Sequence, residues 1–85
     1  MMDFGEALVK LREGKKVARK GWNGKGMWVG LQRPDSQSAN TLPYLYLQYP
    51  EDAKVYPNAR VPWLASQTDM LAEDWVEVNT QWDHP

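Results

Sequence analysis

Trp63-Leu64-Ala65-Ser66-Gln67-Thr68-Asp69-Met70-Leu71-Ala72-Glu73-Asp74-Trp75 holds a tryptophan at each end and a hydroxyl-and-amide turn in its middle. Ser66, three residues before Asp69, reads as the N-cap of a short helix running to Glu73. Met70, Leu71 and Trp75 supply its apolar side. A helix that opens on Ser66, Gln67 and Thr68 offers free backbone N–H groups beside hydroxyls, which suits an anion such as a phosphate. The plainer reading is a cap and nothing more, joining two strands.

Strands are expected on both sides of this turn. Trp75 to Val78 sets Val76 and Val78 against Trp75 and Glu77. Arg60 to Leu64 is a short strand in which Pro62 points to an edge or a strand end. Further upstream, Pro43 to Tyr49 alternates Tyr44 and Tyr46 with Leu45 and Leu47, the clearest strand pattern in the chain. Met27 to Gln32 places Met27, Val29 and Leu31 on one face and Trp28, Gly30 and Gln32 on the other. Gly30 would leave room beside Trp28 for a ligand platform. Lys16 to Lys20 is a fifth, short strand, whose charges suggest an edge or a rim. Residues 33–42 and 50–58 are polar, proline-bearing loops.

Asp3 to Glu13 predicts an amphipathic helix. Asp3 and Glu6 have capping-box spacing, Phe4, Ala7, Leu8 and Leu11 form one stripe, and Gly14 is a natural stop. The whole reads as α+β: an N-terminal helix packed on an antiparallel sheet of about five strands, with a short helix before the last strand.

The chain has 85 residues, no cysteine, one histidine (His84) and a formal net charge of -1. One domain with a thin core is expected. Disulfides and thiolate metal sites are excluded, and a histidine-based triad has almost nothing to work with. The charge balance argues against a general nucleic-acid binder, although seven of the ten basic residues lie between Lys10 and Lys25. Asp3 and Glu6 break the first apolar run, so no secretory leader is expected. No apolar run is long enough to span a membrane. Five tryptophans exceed what so small a core readily uses, which suggests a homo-oligomer.

Gly21-Trp22-Asn23-Gly24-Lys25-Gly26 joins the first two strands. Asn23-Gly24 is a hairpin turn signal. Trp22 is not required by such a turn and should cover something, a base or a neighbouring subunit, with the cation of Lys25 beside it. Asp69, Glu73 and Asp74 are the available acid–base candidates, and solvated carboxylates are the ordinary reading of them. The glycine loop lacks P-loop spacing. Flat aromatic faces, a lysine-bearing glycine loop and a hydroxyl-rich helix start together suit a nucleotide.

Three segments carry a family resemblance: Phe4-Gly5-Glu6-Ala7-Leu8, then Lys15-Lys16-Val17-Ala18-Arg19-Lys20-Gly21-Trp22-Asn23-Gly24-Lys25-Gly26-Met27, then Pro62 through Trp75. They resemble the second type of Thoeris anti-defence proteins of phages and prophages. The resemblance implies a non-enzymatic sponge acting in the cytoplasm of the infected bacterium. Such proteins hold cyclic ADP-ribose isomers intact, and some hold cyclic di- or trinucleotides at separate sites. It also implies a homotetramer with pockets where subunits meet, no cofactor, no metal and no catalytic residue. Carried over by motif, Trp22 is a stacking surface, Asn23 is a polar contact, Gly24 beside it is a ligand-binding residue and Lys25 faces phosphate. Ser66, Gln67 and Thr68 would bind phosphate or ribose, and Asp69 would hold a ribose hydroxyl or fix the turn. Trp28 is a further aromatic contact. The rival readings are a single-stranded nucleic-acid or regulatory binding module and a phosphodiesterase that destroys the messenger.

Overall fold

The structure, a computed structural model, describes residues 1–22 and 26–79. Helix α1 spans Phe4–Arg12. It starts where Asp3 caps it: the Asp3 side chain accepts from the Glu6 N–H at 2.8 Å, and Glu6 accepts from the Asp3 N–H at 3.0 Å. It stops at Gly14, whose positive φ of 87° turns the chain away. Five strands follow, β1 (Lys16–Arg19), β2 (Trp28–Gln32), β3 (Tyr44–Gln48), β4 (Arg60–Pro62) and β5 (Trp75–Val78), with helix α2 (Gln67–Leu71) before the last. The expected α+β architecture is the observed one.

All strand pairs are antiparallel and the sheet order is β4-β3-β2-β1-β5. Pro62 does lie on an edge. β1 does not: it sits between β2 and β5, so its charges mark no rim. A charged strand is tolerated there because Arg19 is paired within the chain (below) and only Val17 of the strand is fully buried.

Register separates two faces. Val17 lies opposite Val29, Val29 opposite Leu47, and Leu47 opposite Val61. This face carries the core: Ala7 and Leu11 of α1 bury against Val17, Val29 and Trp75. The opposite face carries Trp28, Gln48 and Arg60 in one row, with Gly30 opposite Tyr46 in the next. Helix α1 packs across β1, β2 and β5 on the core face only.

The aromatic surplus is largely absorbed by the chain itself. Trp75 is fully buried and packs against Phe4, Trp22 and Trp63 with ring centroids 5.4, 5.5 and 6.0 Å away. Trp82 and His84 lie outside the described residues. No helix among the described residues is long and apolar enough to cross a membrane.

Leu11, 1 % exposed, is the tooth by which α1 engages the sheet. Leu11→Ala is expected to cost about 2–5 kcal/mol in urea unfolding with an unchanged slope. A loss under ~1 kcal/mol would mean that the helix does not seal the core.

Candidate functional site

The turn into α2 is built as its spacing predicts. Ser66 Oγ accepts from the Asp69 N–H at 3.1 Å, and Asp69 Oδ2 accepts from the Ser66 N–H at 3.2 Å. Ser66 and Thr68 hydroxyls lie 2.9 Å apart. The helix is shorter than expected: Ala72 is extended, so Glu73 falls outside it and shares no helical face with Asp69.

Asp69 also closes a network that the linear sequence hides. Its Oδ1 accepts from Arg19 at 2.9 Å and from the Trp22 indole at 3.3 Å, while its carbonyl accepts from the Trp75 indole at 3.0 Å. Arg19 donates its Nε to Asp74 at 2.8 Å, and the other Asp74 oxygen takes the Gly21 N–H at 2.9 Å. One guanidinium thus ties β1, the start of the β1–β2 loop, α2 and the entry to β5. Hydrogen bonds to Asp74 and Asp69 raise the Arg19 pKa further above its already high value. Burial works to raise the Asp69 pKa, but the hydrogen bonds from Arg19, Ser66 and Trp22 outweigh it and hold the carboxyl below its ordinary range. Asp74 is lowered chiefly by its bond from Arg19, against a smaller effect of burial.

Trp22 therefore does not stand free, as the turn alone suggested. It covers Trp75 and Trp63 of its own chain, because β5 pairs with β1 and draws Trp75 beneath it. Trp22, Ser66, Thr68 and Asp69 are gathered at this end of the molecule, and Gln67 is exposed in the first turn of α2. Asn23, Gly24 and Lys25 lie outside the described residues.

Trp28 belongs to a different place, on the face of the sheet away from α1. A cleft of about 520 Å³ opens there, lined by Lys16, Trp28, Gln48, Asn58 and Arg60, with Gly26 and residues 49–52 as its walls. The Lys16 ammonium lies 4.3 Å from the centre of the Trp28 ring, and the Arg60 guanidinium 4.7 Å from that of Tyr46. Trp28 and Tyr46 meet edge to face at 5.7 Å. Gly30 does not leave a vacant platform: a Cβ there would come 2.5 Å from the Tyr46 hydroxyl, so Tyr46 already occupies that space. Gly26 has a φ of 86°, and a Cβ on it would stand 3.0 Å from Pro50, so only glycine lets the two walls approach this closely.

Beneath the cleft lies Gln48, a buried polar side chain at 9 % exposure. Its Nε2 donates to the carbonyls of Tyr49 and Asn58, each at 3.1 Å, and its Oε1 accepts from Arg60 Nε at 2.6 Å. Asn58 reaches it because Tyr56 and Asn58 adopt left-handed φ of 57° and 60°, which curls the 50–58 loop back on itself. Glu51 and Asp52 add carboxylates to the lining. Sequence reasoning singled out neither Lys16 nor Gln48. The signal was present in the alternation of β3, which puts Gln48 on the same face as Tyr44 and Tyr46.

The chain has recognisable relatives among known proteins. A family model described as the Thoeris anti-defense 2-like domain matches residues 2–78. The chain belongs to that family. It is similar to "Thoeris anti-defense 2" of Bacillus phage SP01, with 39 % identity over an alignment 82 positions long that spans 87 % of this chain and 91 % of the relative. Membership gives the protein an anti-defence role and places it in a family not known for enzymes.

The depressed Asp69 and Asp74 pKa values carry a sign. Their contribution to stability is complete above the ordinary carboxylate value of about 3.9 and is lost as pH falls through their lower folded values. Thermal melts from pH 7 down to about 2.5 should therefore show a steep fall on the acid limb, made shallower by Asp74→Asn. An acid limb unchanged in that variant would remove Asp74 from the linkage.

Proposed function

We propose that the protein is a sponge: it binds a cyclic nucleotide messenger, a glycocyclic ADP-ribose isomer, and holds it without cleaving it, so that Thoeris immunity is not triggered. The observation that carries this reading is the composition of the cleft. It places two cations, an aromatic wall and acceptor groups within one cavity. Lys16 and Arg60 suit phosphate oxygens, Trp28 suits a base, and Glu51, Asp52 and Asn58 suit ribose hydroxyls and base N–H groups. Anti-defence membership supplies the biological direction of that chemistry. Cyclic di- and trinucleotides share these groups and belong to the same reading.

Sequestration needs a tight, slowly releasing site, and a cleft on one 85-residue chain gains closure from a neighbour. A homotetramer would provide it. Leu64 and Leu71, at either end of the α2 segment, are 91 % and 77 % exposed, which is apolar surface an assembly would bury. Gln67 and the hydroxyls of Ser66 and Thr68 lie between them in sequence and would then face a neighbouring subunit. The site of action would be the cytoplasm of the infected cell, where the messenger is made.

The test is incubation with a glycocyclic ADP-ribose isomer, filtration, then heating of the retained fraction. Intact messenger released by heat is the expected result. Messenger in the filtrate, or new products, would overturn sequestration in favour of another ligand or of turnover. Trp28→Ala should weaken binding roughly 5- to 150-fold, the about 1–3 kcal/mol worth of a base–aromatic stack. Native mass spectrometry of Leu64→Asp with Leu71→Asp should show loss of the assembly. Tetramers that survive would place the interface elsewhere.

A further inference from the structure

Arg60 is held in an unusual way for a cation on a sheet surface. Its Nε is committed to Gln48 Oε1, and its guanidinium lies over Tyr46. Its terminal nitrogens make no hydrogen bond or ion pair to any described residue. The orientation of Gln48 is itself forced. Two backbone carbonyls, of Tyr49 and Asn58, take both hydrogens of its amide nitrogen, so only the amide oxygen is left to face Arg60. A reversed amide would set its oxygen against two carbonyl oxygens. Strand register makes the contact direct, since Gln48 on β3 lies opposite Arg60 on β4.

We infer that Gln48 is a positioning residue: it aims the terminal N–H groups of Arg60 into the cleft as a preorganised fork for a phosphate or diphosphate group. This inference rests on the cleft being the ligand site. A guanidinium held at Nε presents NH1 and NH2 in the planar geometry that grips two oxyanion oxygens, whereas an unheld arginine would first have to be ordered. The Tyr46 ring beneath it restricts rotation out of that plane. Because the Gln48 amide also pins the 50–58 loop through Asn58, the fork and the cleft wall share one anchor.

The probe is inorganic pyrophosphate, titrated calorimetrically at constant ionic strength and pH into the wild-type protein, Gln48→Met, Arg60→Lys and the double variant. Arg60→Lys keeps the charge and removes both the fork and the partner of Gln48 Oε1. Each single variant should bind about tenfold more weakly, and the double variant should be no weaker than the worse single one. A purely structural role for Gln48 would weaken binding by the same factor with Arg60 present or replaced, giving an additive loss near 100-fold; that result overturns the inference. So does wild-type protein that ignores pyrophosphate, or Gln48→Met with undiminished affinity.

Should Gln48→Met fail to fold, the Arg60 Nε–H signal of the wild-type protein decides by nuclear magnetic resonance. It should be protected from exchange before ligand is added, and the NH1 and NH2 signals should shift on titration. An unprotected Nε–H, or terminal signals that do not move, rejects the assignment. A glycocyclic ADP-ribose isomer passing the filter while pyrophosphate still couples Gln48 to Arg60 would sink sequestration and leave this inference standing. Retained messenger with an additive cycle would do the reverse.

Discussion

Almost every element of this small fold is tied to the indole of Trp75. Its ring is sealed by Phe4 from α1, Trp22 from the β1–β2 loop and Trp63 from beyond β4. Its indole N–H reaches the Asp69 carbonyl, and its backbone pairs with Met2 in both directions, at 2.7 and 3.0 Å. A thin core has few large side chains to spend. Four rings that meet at tilted and edge-on angles fill the space that aliphatic residues fill in larger domains. Asp69 couples this apolar centre to the polar network of Arg19, so packing and charge pairing fix the same corner of the molecule.

The sheet divides labour by its pleat. Val17 of β1 and Val29 of β2 look inward to the core, and Lys16 and Trp28 look to the cleft. The core can therefore be tightened on one side while the other stays polar and aromatic. The two long loops are not equivalent in this scheme. Residues 50–58 are tied down by Gln48 and by the Asn58 N–H bond to the Pro50 carbonyl at 3.1 Å, and they form a wall. Residues 33–42 do not line the cleft and are held in part by Arg33 on the Arg12 carbonyl at 2.8 Å.

Local rules made much of this visible in the linear chain. Both capping boxes, the helical stripe of α1, the alternation of β3 and the edge position of Pro62 depend on residues within a few places of one another, and each is found as read. What escaped depends on pairing order. Nothing near Lys16 announces that β5 will flank β1, so a central strand resembled an edge. Nothing near Trp22 announces that Trp75 will lie beneath it, so a covered ring resembled an exposed one. The cleft is the same case, since Lys16, Trp28, Gln48 and Arg60 come from four strands and meet only when the register is known. Gly30 was read correctly as a gap in its own strand, but the residue that fills the gap arrives from β3.

The pairing of β1 with β5 joins residue 16 to residue 78. Synthesis on the ribosome is vectorial, so more than fifty residues follow β1 before its second neighbour exists. Helix α1 and the β1–β2–β3 portion emerge early, yet the ring that seals them belongs to the last of the five strands made. Interrupted translation products that stop before Trp75 would lack the centre of the core and one flank of the sheet. They would present bare apolar surface to chaperones and proteases instead of a partly working protein. The chain thus carries its own completeness check, because only a polypeptide read through to β5 can close the fold that supports the cleft.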